Sequence, residues 1–106
     1  MTIPGGMGEL AGAYSVHSFA EGMARLTALF ASHPELKGLA ATVDSGGHVD
    51  IIAVADRGVL RDWIRALPAA SHRKDLYSVH YGHEWEEVLT EGPLTVHVRR
   101  PPKAGA

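Results

Sequence analysis

Apolar residues recur along this chain in two rhythms, one of three to four residues and one of two, and the changes of rhythm mark out its elements. Phe19, Met23, Leu26 and Phe30, with Leu29 beside them, step by three and four, which places them on one face of a helix. Ser18-Phe19-Ala20-Glu21 has the capping-box pattern, in which hydroxyl and carboxylate satisfy orphan N–H groups reciprocally, so this helix is expected to begin there. His33-Pro34 ends it, since the residue before a proline is driven out of helical geometry. Val59, Leu60, Trp63, Ile64 and Leu67 form a second helical stripe, with Asp56 as its expected cap and Pro68 as its stop.

The two-residue rhythm begins with Leu39 to Val43 and Val49 to Ala55, short apolar runs separated by residues 44–48, whose glycines suit a tight turn. They predict a hairpin. Val49, Ile51 and Ala53 alternate with Asp50, Ile52 and Val54, so the second strand is apolar on both faces toward its end, as an interior strand is. A loop over residues 69–75 is expected next, then a strand from Leu76 to Tyr81. Leu94, Val96 and Val98 alternate with Thr95, His97 and Arg99, giving one buried and one wet face. If Glu91-Gly92-Pro93 is a three-residue loop, Thr90 pairs with Leu94, Val88 lies opposite Val96 on the inner face, and Glu87 lies opposite His97 on the outer one.

The order α-β-β-α-β-β(-β) predicts an α+β, two-layer sandwich: a four- or five-stranded, mainly antiparallel sheet with two helices on one face. Residues 15–100 form a single domain on this reading. The glycine-rich residues 1–14 and the proline-containing residues 101–106 are expected to be flexible tails. A chain of 106 residues, 45% hydrophobic, has enough apolar material for one such core.

A formal net charge of −2 gives no global positive field for nucleic acid or anionic lipid. The lack of cysteine removes disulfides, thiol nucleophiles, iron–sulfur clusters and thiolate zinc sites. The chain has no signal-like start and no apolar run long enough to span a membrane, so the expectation is a cytoplasmic protein with no membrane contact. Its richness in Ala, Gly and Arg, with only Lys37, Lys74 and Lys103 as lysines, is the usage of a GC-rich bacterial or phage genome.

Among the seven histidines, His80, His83 and His97 fall in the C-terminal strands. Imidazole suits zinc, copper, nickel or iron, so His80, His83, His97 and Glu87 form the candidate metal set. His80, His97 and Glu87 form the candidate catalytic one, a general base oriented by a carboxylate. Strand parity opposes His83 to His80 unless Gly82 bends the chain, and solvated surface histidines are the plainer account. Glu84, Glu86 and Glu87 lack the pattern of a calcium loop and read as a solvated or edge-protecting run.

Arg57, Arg61 and Arg65 repeat every four residues along the second helix, a stripe that would grip phosphates were it not offset by Asp62 and an acidic whole. Trp85, Tyr77, Tyr81 and Ile52 are the candidate partner-binding residues, since aromatic anchors dominate many interfaces. No P-loop, nucleophile elbow or His-Glu-x-x-His motif occurs. The leading expectation is a non-enzymatic interaction module, without cofactor, that forms a homodimer or binds another protein through its sheet. The alternatives are a small-ligand or metal-binding enzyme and a weak nucleic-acid binder.

Overall fold

The computed structural model describes residues 15–56, 58–79 and 82–101, and only the backbone of residues 78, 79, 82 and 83. Within them lie α1 (Val16–Ser32), β1 (Ala40–Val43), β2 (Val49–Val54), α2 (Val59–Ala66), β3 (Ser71–Val79), β4 (Gly82–Glu91) and β5 (Leu94–Arg99). The five strands form one mixed sheet in the order β1-β2-β5-β4-β3. All neighbours are antiparallel except β2 and β5, which run parallel. The expected α+β architecture and element order are those observed. Of the expected tails, 1–14 and 101–106, all but the exposed Pro101 fall outside the described residues.

The helices begin and end for local reasons. Ser15, not Ser18, caps α1, its hydroxyl accepting the Ser18 N–H at 3.2 Å. The capping box is therefore misplaced by one turn: Ser18 lies inside the helix and is buried. Asp56 does not cap α2 with its side chain. Gly58 occupies the N-cap with φ 83°, a left-handed conformation glycine adopts without penalty, and Asp56 contributes its carbonyl to the Val59 N–H at 3.0 Å.

The core lies between one face of the sheet and both helices. Val49, Ile51 and Ala53 of β2, Leu94, Val96 and Val98 of β5, and Leu89 of β4 pack against Val59 and Trp63 of α2 and against Leu26, Leu29 and Phe30 of α1. Trp63 is fully buried, and its indole N–H donates to the Lys37 carbonyl at 2.9 Å. Phe30 meets the Trp63 ring edge-on, centroids 5.9 Å apart, which ties the two helices together.

The first half of α1 docks by small residues, while Leu26, Leu29 and Phe30 of the predicted stripe reach the core. Ser18 and Gly22 are buried, whereas Phe19 and Met23 of the expected core stripe are 41% and 42% exposed. A Cβ on Gly22 would come within 2.6 Å of Val43 Cγ1, and one on Gly47 within 2.8 Å of the Ser18 carbonyl oxygen. Helix and hairpin turn touch backbone to backbone, so the helix is rotated from its apolar stripe toward its smallest residues. Gly47 also has φ 80°, which the turn requires.

Two strand assignments change. The expected loop over residues 69–75 is mostly strand: β3 starts at Ser71 and pairs with β4 from Ser71↔Thr90 to Val79↔Gly82. Its polar run hides the strand rhythm because β3 is an edge with little to bury. The β4–β5 loop has two residues, Gly92 and Pro93, not three, so Glu91 pairs with Leu94. Gly92, at φ 58°, holds the first loop position, where a type II′ hairpin takes glycine. That one-residue difference turns every β4 side chain to the opposite face relative to β5.

Candidate functional site

The register decides which residues meet. Glu87 pairs with Val98 on the helix-bearing face, and His97 pairs with Val88 on the other. The predicted Glu87–His97 couple is therefore separated by the thickness of the sheet. His80, Tyr81 and Arg57 lie outside the described residues, as does the side chain of His83. Among the described residues no three His, Asp or Glu gather closely enough to hold a metal ion.

His97 instead meets Glu86, which the sequence reading treated as part of a solvated run. Glu86 is only 5% exposed and accepts two hydrogen bonds of 2.8 Å, from His97 Nδ1–H and from Arg99 Nε–H. Arg99 reaches on across Glu86 to stack on Tyr77 of β3, its guanidinium carbon 4.3 Å from the ring centroid. This stacked arginine roofs the carboxylate and accounts for its burial on a face without helices. Burial alone would raise the Glu86 carboxyl, but the bonds from Arg99 and His97, with the charges of both, outweigh it and hold the group below its ordinary 4.5.

The other ring nitrogen of His97 lies 3.8 Å from Asp50 Oδ1, beyond hydrogen-bond reach. The ring borders a shallow hollow of about 170 Å³ that also touches β1 residues Ala40 to Thr42. An imidazole fixed by a carboxylate is a possible general base in geometry. In this structure the ring joins β4 to β5 through Glu86 and faces Asp50 of β2.

Glu87 has partners of its own on the helix face: it is hydrogen-bonded to His72 and lies 3.8 Å from Lys74 Nζ. Beside it is a hollow of about 480 Å³, formed by Leu60, Trp85 and Val98 with Lys74, Glu87 and Arg100. Trp85 and Leu76, opposite each other on β4 and β3, are each 50% exposed. Tyr77 and Ile52 project from the opposite face, so the proposed partner-binding set does not form one surface. Arg61 and Arg65 are exposed on α2, which begins at Val59.

The two sheet edges differ more than the two faces. β3 carries Ser71-His72-Arg73-Lys74-Asp75 along its first half, with ion pairs from Arg73 to Asp75 at 3.5 Å and from Lys74 to Glu87. β1 carries Ala40-Ala41-Thr42-Val43, extended by Leu39, whose N–H bonds the Ile52 carbonyl at 2.7 Å. This stretch has no charge and no proline, and Leu39 is 73% exposed. Among the described residues no strand pairs with its outer side. At its end Asp44 organises the turn, accepting the Gly46 and His48 N–H groups at 2.9 Å each. The His48 bond chiefly holds the Asp44 carboxyl below its ordinary 3.8; slight burial opposes it, and Gly46 and the His48 ring add to it.

No helix among the described residues is long and apolar enough to cross a membrane. Comparisons with protein families, with curated proteins and with solved structures find no match for this chain.

Proposed function

We propose that this protein is a non-enzymatic interaction module that pairs with a second copy of itself through the β1 edge of its sheet. The observation that supports this reading is the contrast between edges: β3 carries charged side chains, a common guard against unwanted pairing, whereas β1 and Leu39 form an uncharged, proline-free run. The shortness of β1 limits chance pairing, so a specific partner needs further contacts beside it.

Ala41 gives a clean test. In the hairpin the Asp44 N–H bonds the His48 carbonyl at 3.0 Å, so alternation turns the Ala41 N–H away from β2. Ala41→Pro removes an outward donor while leaving the β1–β2 ladder intact. Sedimentation equilibrium is expected to show a dimer for the unaltered protein and a monomer for Ala41→Pro, with the same circular dichroism. A protein that stays monomeric at about 1 mM, the weak end of meaningful association, overturns the proposal.

A further inference from the structure

The flank of α1 beside this edge is uncharged as well. Contacts orient the helix: the Arg25 guanidinium donates to the Gly47 carbonyl at 3.3 Å on the β2 side, while Gly22 meets Val43 of β1. Phe30 Cζ lies 3.7 Å from the place of a Cβ on Gly38, just before β1. At 3.6 residues per turn, Phe19 and Met23 then stand on the outer, β1 side of the helix. Val16, 85% exposed, continues that flank, and the exposed Ala20 and Thr27 fill it without charge. The charged residues lie elsewhere: Glu21 pairs with His17, 3.1 Å away, on the far side of the helix.

We infer that α1 and β1 form one self-complementary interface, in which two copies meet about a two-fold axis at Ala41. This rests on the edge-pairing reading and adds the helix to it. Antiparallel pairing about Ala41 sets Ala40 opposite Thr42 of the second copy and brings the Leu39 side chain alongside Val43 of the second copy, while the Leu39 N–H stays with Ile52, so every residue brought together is uncharged. It also brings Lys37, before one end of the strand, beside Asp44 of the second copy, after the other end. A parallel arrangement would separate these charges.

The spacing closes as well. Strands in a continuous sheet lie about 4.8 Å apart, so helices centred over each β1–β2 hairpin would stand about 10 Å apart across the axis. Packed helices approach to about 8–10 Å, depending on the side chains between them. Phe19, Met23 and Val16 of each copy then cover Leu39 and Val43 at the junction. The product is a ten-stranded sheet, closed in the sense that the remaining edge on both sides is the charged β3.

The test combines five variants of the full chain, read by sedimentation equilibrium or, for the two cysteine variants, by disulfide formation, and each checked by circular dichroism. Met23→Glu and Phe19→Glu, at exposed helix positions, are each expected to weaken the dimer at least tenfold or so, as loss of an interface anchor does. Because the chain has no cysteine, Ala41→Cys is expected to oxidise to an interchain disulfide, and Asp75→Cys on β3 is expected not to. If Ala41→Pro dissociates the dimer but both helix variants leave it unchanged, edge pairing stands and the role of α1 is overturned. If the helix variants dissociate it but Ala41→Pro and Ala41→Cys have no effect, the edge itself is overturned. A disulfide through Asp75→Cys in place of Ala41→Cys overturns the proposed arrangement altogether.

Discussion

The two ends of the sheet use the same backbone chemistry with opposite side chains. At β3 a nine-residue edge is studded with His72, Arg73, Lys74 and Asp75. At β1 four residues, with Leu39 before them, carry no charge and lie beneath a helix whose outer flank is apolar. Unpaired N–H and C=O groups attract another strand wherever they occur, so what differs is the cost of bringing one close. A strand approaching β3 must displace water from several charged groups. One approaching β1 buries methyl groups. The difference teaches that an edge is read by its side chains, and by whatever stands over it, more than by its length.

The contrast depends on the segment leading into β1 being held in place, and the largest expected effect follows from releasing it. Trp63 is fully buried and its indole N–H holds the Lys37 carbonyl. Trp63→Ala is expected to cost about 3–5 kcal/mol in urea unfolding, as truncating a core aromatic does. Hydrogen exchange should show the loss first in residues 37–43. Trp63→Phe is expected to retain much of the packing and lose the bond.

Gly22 sharpens the same point from the helix side. A Cβ there would stand 2.6 Å from Val43 Cγ1, so Gly22→Val forces α1 off β1, with an expected loss of about 1–3 kcal/mol by thermal or urea melting. Any dimer should weaken in parallel, because the helix flank and the strand edge would no longer lie side by side.

The network near β3 is expected to respond to pH through a buried carboxylate. Glu86 is held below its ordinary 4.5, so it binds protons less readily folded than unfolded. Its stabilising contribution is therefore complete above that value and falls away as pH drops from about 4.5 toward the lowered folded value. Glu86→Gln is expected to cost about 1–2 kcal/mol at neutral pH, the scale of a charge-assisted hydrogen bond. It should also flatten the acid limb of the stability curve measured by urea unfolding. An unchanged acid limb would assign that limb to other carboxylates.

The smallest effect on stability, and the most direct inversion of the comparison, comes from making β3 resemble β1. Replacing Arg73, Lys74 and Asp75 by Ala at once is expected to change unfolding by no more than about 0.5 kcal/mol per site, as at most surface positions. Size-exclusion chromatography is nevertheless expected to show species larger than a dimer, since pairing at both edges does not close.

How far these surfaces could be read in the sequence varies by residue. Trp63 and the alternation of Val49, Ile51 and Ala53 were legible because each is buried in a regular rhythm. Phe19 and Met23 misled: they share the rhythm of a core face, yet close backbone contact at Gly22 and Gly47 turns α1 so that they point outward. The polar start of β3 concealed a strand, because the signal for strands is burial and an edge buries little. Glu86 was hidden by a single residue of loop length. The Gly92-Pro93 pair held the clue, since glycine at the first position of a two-residue hairpin loop pairs Glu91 with Leu94 and thereby Glu86 with Arg99.

By itself, then, the sequence determined the succession of helices and strands, the α+β class and the apolar residues that fill the core, because periodicity and burial are local properties that each segment carries with it. It also determined that Leu39 to Val43 is uncharged. Only the tertiary structure decided that this run is an edge, that an apolar helix flank stands beside it, and that His97 meets Glu86 instead of Glu87. Those outcomes depend on strand order, helix rotation and register, where one residue of slip, or a glycine in close contact, exchanges one face for the other.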